Sequence, residues 1–407
     1  MRKQLGVLAA AAVSAGMLAG VAGGATAAGA SSYPPIPAGP IVIGATTPLS
    51  GPTAVDGIST EESFNGVTMK AFNAEFPNGI DGHPVKLVFL DDQGTITGGV
   101  ESAEELAADH VAAVVTASYN AEATADQLTI WNKDKIPVIS QVGGNEYSNT
   151  KAWPYDFGVG ASLQEWATAT AKWIHNEDFK RIAVLTDGIQ SDAEELSDVE
   201  AAMKKDAPGA KIVTTQTVPP TSVEISAAIA SLKAANPDLV YIDTYEDQGS
   251  VWQTMQTQGL TTTPILTSAG SWYNGFSAMG PLADHAYAYY DNCATSVNET
   301  WPANVQSLFA AYSAATYAYS TNYLTYVATD TVPLLLLRYA IDKEHSDSPA
   351  AIKAGLESIH GETFDTIKYD FSSTNHFGET GDDGAAVCKM APPYAGGVGK
   401  VPIRSNG

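Results

Sequence analysis

Short apolar runs alternate with helix-length amphipathic segments along most of this chain, and that rhythm limits the fold more than any other feature. Ile41-Val42-Ile43-Gly44-Ala45 is a continuous apolar run of strand length. Such a strand is buried on both faces, which places it in a parallel sheet covered by helices. From Thr60 to Glu75, Phe64, Val67, Met69 and Phe72 share one broad helical face. Val85-Lys86-Leu87-Val88-Phe89-Leu90 is the next strand, ending in Asp91-Asp92. Residues 98–109 read as a helix, Ala112-Ala113-Val114-Val115 as a strand, 121–134 as a helix and Ile136-Pro137-Val138-Ile139-Ser140 as a strand.

A second series repeats the plan. Helices are expected over 162–176, 192–206, 222–235 and 249–259. Strands are expected over 181–185, 211–214, 239–242 and 264–267. Further helices follow over 303–316, from Thr325 to Lys343 and from Pro349 to Ile359, then strand-like runs at 366–369 and 385–388. Strand–helix alternation of this kind gives parallel sheets with helices on both faces. The fold class is therefore α/β, with two units of similar plan. The length of 407 residues agrees, at about 150 residues per domain.

Acidic residues outnumber basic ones, 45 to 21, for a net charge of −24. That excludes a nucleic-acid binder, which needs clustered Lys and Arg, and a protein that docks on anionic lipid. Residues 1–27 read as a secretory signal: Arg2 and Lys3, an apolar stretch from Leu5 to Val21, and the cleavage motif Ala25-Thr26-Ala27. Residues 28–40 are small and Pro-rich, a flexible leader. No Cys precedes Cys293 to carry a lipid, and the run Pro333 to Leu337 meets Arg338 before it could span a bilayer. An exported protein, periplasmic or extracellular and without membrane insertion, is expected. Cys293 and Cys388 then lie in an oxidising compartment, where a disulfide and two separate buried thiols both fit.

No nucleophile elbow, zinc-protease helix, phosphate loop or dinucleotide fingerprint occurs in the sequence. His83, His110, His175, His285, His345, His360 and His376 are scattered, so no metal site and no cofactor are expected. Asp91-Asp92 reads as a cap on the following turn and helix. What remains are polar loops after strands, where open α/β sheets bind ligands. One runs from Thr47 to Gly57 and includes Asp56. Another is Thr116 to Asn120, with Ser118, Tyr119 and Asn120. A third is Ser140 to Asn145, with Val142, Gly143 and Gly144. The second unit offers Asp243 to Asp247, with Tyr245 and Asp247, and Thr267 to Tyr273, with Ala269, Trp272 and Tyr273. Helix capping by Ser118 and Asn120, turn formation by the glycines and interior packing of the aromatics each account for one loop alone. Their recurrence after equivalent strands in two units points to a binding cleft rather than to catalysis.

From Ile41 to about Phe371 the chain resembles type I solute-binding proteins of ABC transporters, typified by the leucine/isoleucine/valine-binding group. The resemblance rests on I-V-I-G-A-T-T-P-L-S-G-P-T-A-V-D-G (41–57), Phe72-Asn73-Ala74, the run Asn78 to Leu87, and Asp91-Asp92. Ile136 to Ser140, Asn236 to Val240 and Gln258-Gly259-Leu260 extend it. The family implies two Rossmann-like lobes joined by three crossover strands, with the ligand in the cleft between them. Lobe 1 is expected over 41–157 and 290–363, and lobe 2 over 158–289 and 364–407. The crossovers fall near Tyr155–Gly160, Tyr287–Asn292 and Glu362–Thr366. Hinge closure around a ligand is the motion such proteins use.

Carried over residue by residue, the family's carboxylate-binding positions fall at Asn120, Val142 and Gly144, and its second-lobe aromatic at Tyr245. The glutamate that holds an ammonium falls at Ala269, a departure that moves the ammonium partner to Asp56, Glu246 or Asp247, or makes the ligand something other than an α-amino acid. Trp272 and Tyr273 beside that position favour an aromatic or larger apolar carboxylate. The expected function is the substrate-binding subunit of an ABC importer, not an enzyme. Its expected partners are a small-molecule ligand and the permease and ATPase subunits, with the binding protein itself a monomer. The alternative is a sensor module of the same fold that works with a separate signalling chain.

Overall fold

The computed structural model describes residues 32–51, 54–118, 121–140, 149–188, 190–218, 225–244, 248–268, 279–290, 324–364, 367–378 and 385–389. The first sheet is parallel and contains β1 (Ile41–Thr47), β2 (Val85–Asp91), β3 (Ala113–Val114), β4 (Val138–Ser140) and β5 (Asp156–Gly158). Its strand order is β2-β1-β3-β4-β5. Ile41, Ile43 and Ala45 on one face of β1 pack with Phe64, Phe157 and Leu337. Val42 on the other face packs, with Val88 and Leu90, against Leu106, Leu128 and Trp131. The continuous apolar run of β1 is thus what a strand with helices on both sides requires.

The second sheet contains β6 (Arg181–Thr186), β7 (Lys211–Thr217), β8 (Leu239–Asp243), β9 (Ile265–Ser268), β10 (Ala286–Tyr290) and β13 (Ala386–Lys389), in the order β13-β10-β9-β8-β6-β7. All neighbours are parallel except β10 and β13. Ala183, Leu185, Val240 and Ile242 face Ile229, Trp252 and Met255. Ile182, Val184, Leu239 and Tyr241 face Trp173, Val199 and Met203. Strands β11 (His360–Phe364) and β12 (Ile367–Asp370) form a separate antiparallel hairpin.

The helices are α1 (Ala54–Ser63), α2 (Met69–Glu75), α3 (Ile96–Ala108), α4 (Ala121–Asp134), α5 (Leu163–Asn176), α6 (Gln190–Asp206), α7 (Ser226–Ala234), α8 (Gln248–Thr257), α9 (Leu324–Glu344) and α10 (Pro349–Leu356). A π-helical segment, Phe64–Thr68, joins α1 to α2. The expected helix over 303–316 and Cys293 lie outside the described residues. Cys388, on β13, is disulfide-bonded. Among the described residues, no helix is long and apolar enough to cross a membrane.

Strands β5, β10 and β11 fall at or beside the three segments where the family resemblance places crossover strands, although no apolar run marks them as strands. Their residues carry no long apolar run, and neighbouring strands supply their hydrogen bonds. Residues 367–378, expected with the second lobe, pack on the first sheet instead. Tyr369 and Phe371 sit in the same cluster as Ile41 and Phe157. The Tyr369 hydroxyl donates to the carbonyl of Val159 at 2.9 Å. Phe371 meets Phe157 edge-on at 5.4 Å, and His376 stacks on Phe157 at 4.0 Å. Phe377 bridges to Gly158. Among the described residues of this tail, β13 joins the second sheet. Phe371→Ala removes a fully buried ring from this junction and is expected to cost about 3–5 kcal/mol in denaturant unfolding. A loss below about 1 kcal/mol would show that the junction is not a packed core.

Candidate functional site

In each sheet the chain first adds a strand on one side of its starting strand and then crosses to the other. The order reverses between β1 and β3 in the first sheet and between β6 and β8 in the second. Neighbouring connections diverge there, and the carboxyl ends of the strands leave a crevice for a ligand. The residues that end these four strands decide what the crevice can hold.

At the first switch point, the loop after β1 is fixed by the carboxylate of Asp91. It accepts from the backbone N–H of Leu49 at 2.8 Å, Ser50 at 3.2 Å and Gln93 at 2.8 Å, and from the Ser50 hydroxyl at 2.7 Å. Burial alone raises its pKa, but these bonds outweigh burial and hold the carboxyl below the usual range. Gly51 has φ +87°, and a Cβ on Gly57 would lie 1.9 Å from the carbonyl oxygen of Pro48. Both glycines let α1 start tight against the loop. Asp56 therefore lies in the first turn of α1 and not in the loop where the sequence reading places it.

The loop after β3 is held from three directions. The backbone N–H of Ser118 donates to Gln127 Oε1 at 3.0 Å, and Thr124 Oγ1 donates to the Ser118 carbonyl at 2.7 Å. Gln127 Nε2 donates to Thr46 Oγ1 at 3.0 Å, tying α4 to β1. The Ser118 hydroxyl hydrogen-bonds Asp92. Ser118 thus ties the end of β3 to α4 and to Asp92, and Thr95 caps α3 by accepting from Gly98 N–H at 3.0 Å. Asp92 is fully buried, and its Oδ1 accepts from Gly94 N–H at 2.9 Å. Burial pushes its pKa up to about 6; the Gly94 and Ser118 bonds pull back, and the charge of Asp91 adds to the rise. Asp92 Oδ2 and the hydroxyls of Thr47 and Thr116 are buried without a hydrogen-bond partner.

The second switch point is acidic. Asp187 follows β6, Asp243 ends β8, and Asp192 and Glu195 lie in the first turns of α6; all four are buried. The backbone N–H of Asp187 donates to the Asp243 carbonyl at 3.3 Å. The Tyr241 hydroxyl donates to Glu195, and Tyr289 hydrogen-bonds both Glu195 and Asp243. Burial drives the Asp243 carboxyl well above the usual range, and the charges of Glu195, Asp192 and Asp187 push it further. Glu195 is raised for the same first reason, and both tyrosines are raised well above theirs. Asp243 Oδ2 has no hydrogen-bond partner.

Of the expected site residues, Ser118 and the backbone of Asp56 are described. Tyr119, Asn120, Val142, Gly143 and Gly144 lie outside the described residues, as do Tyr245, Asp247, Ala269, Trp272 and Tyr273. The sequence reading passes over Asp187, Asp192, Glu195 and Gln127, and holds Asp243 only as the first residue of a candidate binding loop. One signal was available: Leu185-Thr186-Asp187 and Tyr241-Ile242-Asp243 each end a buried strand with an aspartate. Two surface cavities lie elsewhere. One, of about 500 Å³, is lined by Arg338, Tyr339 and Phe364 beside α9, and another by Pro37, His110 and Asp347. Neither contains a residue of the switch points. Among the described residues, no group of three or more His, Cys, Asp or Glu side chains could hold a metal ion.

The raised pKa of Asp92 has a defined effect on stability. The folded state keeps its proton up to about pH 6, against 3.8 for the free group. Stability from this group is complete below pH 3.8 and is lost as pH rises through 6, by at most about 3 kcal/mol. Asp92→Asn is expected to raise the melting temperature at pH 8 and to leave it unchanged near pH 4. A difference from wild type that is constant with pH would contradict this.

Comparison with known proteins places the chain. Residues 40–389 match the family model described as periplasmic binding protein. Among curated proteins none matches. A type 1 periplasmic binding protein from Bordetella pertussis Tohama I superposes with TM-score 0.73 and 19% identity, over 90% of this chain and 99% of that one. A solute-binding protein of an ABC transporter from R. palustris, in complex with 4-hydroxybenzoate, gives TM-score 0.71 and 15% identity over 87% and 93%. The branched-chain amino acid transporter substrate-binding protein of Streptococcus pneumoniae, in complex with isoleucine, gives 0.70 and 19% over 90% and 99%. The fold is that of type I periplasmic binding proteins, with two parallel-sheet lobes and interleaved helices. The chain belongs to the periplasmic binding protein family.

Proposed function

We propose that this protein is the substrate-binding subunit of an ABC importer. In this reading it is exported with cleavage near Ala27, captures a small carboxylate-bearing solute between its lobes and presents it to a membrane permease. The observation that carries the reading is the pair of switch points, each with buried polar oxygens that have no partner in the chain. An unpaired buried oxygen costs about 1–3 kcal/mol, which a bound solute recovers.

The solute's carboxylate is assigned to the first lobe, at the Asn120 side chain and the backbone N–H groups of Val142 and Gly144. The braced Ser118 fixes the approach to that loop. Tyr245, Trp272 and Tyr273 supply the aromatic wall, and a Cys293–Cys388 disulfide ties the tail to the second lobe. Relatives of this fold hold an amino acid in one case and a hydroxylated benzoate in another, so both solute types are tested. Closure is a population shift: a solute that touches both lobes binds the closed form better, and the permease recognises that form. No chemical step is involved, and the solute leaves unchanged.

Isothermal titration with L-isoleucine, 4-hydroxybenzoate and related acids is expected to find a member that binds. Asn120→Ala should weaken that binding about tenfold or more, the loss of one bond to a charged group. Small-angle scattering should show a smaller radius of gyration with that ligand at saturation. No binding by any small carboxylate, or an unchanged radius at saturation, would overturn the reading.

A further inference from the structure

We infer that Gln127 is a positioning residue for solute binding: buried between α4 and the first sheet, it locks the backbone at Ser118 and so aims the donors that follow at the carboxylate of the solute. The inference rests on the solute-binding reading above and adds the residue that sets the geometry of its first half-site. Ser118 is fully buried and stands two residues before Asn120. Its backbone N–H donates to Gln127 Oε1 at 3.0 Å, its carbonyl accepts from Thr124 Oγ1 at 2.7 Å, and its hydroxyl hydrogen-bonds Asp92. Gln127 carries the tie on to β1 and α3: its Nε2 donates to Thr46 Oγ1 at 3.0 Å and to Ser102 Oγ at 3.3 Å.

The orientation of the amide is fixed by its partners. The Ser118 N–H can only donate, so it takes the amide oxygen, and the amide nitrogen is left for the two hydroxyls. Gln127 and Thr46 are fully buried, and Ser102 is 4% exposed. Gln127 lies one turn before Trp131, on the side of α4 that packs Trp131 into the core. An apolar side chain would fill that place with no polar group to satisfy. An amide there gives up packing for geometry, the kind of departure that marks a functional site.

The consequence falls on one end of the solute. A hydrogen bond weakens steeply as its donor turns off line, so N–H groups reward a carboxylate only while they point at it. Once the Ser118 backbone is free to turn, the donors lose their aim, while the apolar walls of the cleft still enclose the rest of the solute. A primary amide of the same shape measures this loss, since it carries no charge and presents hydrogens where the acid presents acceptors. Gln127 does not touch the solute in this reading and acts through Ser118. Its removal should therefore erase the preference for acid over amide instead of weakening both equally.

The test is isothermal titration with 4-hydroxybenzoate against 4-hydroxybenzamide, and L-isoleucine against L-isoleucinamide. Wild type should bind the acid of at least one pair about tenfold or more tightly than its amide. Gln127→Met keeps the length of the side chain and removes both of its polar ends. It should weaken that acid about tenfold or more and the amide less than about threefold. Thr46→Val cuts only the anchor on β1; it should shift the preference in the same direction, and it carries the test if Gln127→Met does not fold. The double variant should be no worse than Gln127→Met, because both act through one chain of bonds. Thermal melts confirm that each variant is folded at the titration temperature. An acid preference that survives in the variants, or an equal loss for acid and amide, would overturn the positioning role and leave the carboxylate reading standing. Acids that bind wild type no more tightly than their amides would overturn the carboxylate reading and the inference with it, as would no binding by any probe.

Discussion

A parallel sheet with helices on both faces has nowhere to put polar side chains except at its ends. Apart from Arg181 at the start of β6 and Tyr241 within β8, the residues of β1, β6 and β8 are apolar up to the carboxyl ends, where Thr46-Thr47, Thr186-Asp187 and Asp243 stand. There the order of strands reverses and the connections part, so those polar groups meet one another instead of a covering helix. The remaining chemistry of the molecule depends on that confinement. In both lobes, buried oxygens collect at the switch points, and some of them go unpaired.

The two ends use that polarity differently. The first lobe builds a brace of amides and hydroxyls, in which Gln127 links Ser118 to Thr46 and Ser102 across α4, β1 and α3. Such a network holds a loop in one geometry, which suits a half-site that must present backbone N–H groups. The second lobe concentrates carboxyls and tyrosines, and its groups compete for protons. The first switch point is thus a donor-rich brace, and the second a set of buried acids and phenols. The −24 net charge of the whole chain gives no hint of this, because the charges that matter are the few that are buried.

Much of the fold was legible in the sequence because periodicity reports burial directly. Helices α4 and α5 and strands β2 and β6 fall within a residue or two of their expected limits. Strands β5 and β10 were legible only through the family resemblance and not from periodicity, because each is short and is held by neighbours rather than by a run of its own. The placement of Tyr369 and Phe371 against Phe157 was hidden for a related reason: the contact spans more than two hundred residues of chain. Of the site, the loops could be named but not the buried acids. Asp192 and Glu195 look like ordinary helix-surface carboxylates in α6, and only the packing of α6 over β6 and β8 turns them inward.

Hydrogen–deuterium exchange with and without a saturating solute tests the central claim most directly, that one ligand is held at both switch points. The account predicts protection in two groups of segments at once: 48–51 and 115–118 in the first lobe, and 187–188 and 243–244 in the second. Protection confined to one lobe, or centred on the cavity beside Arg338 and Phe364, would contradict it.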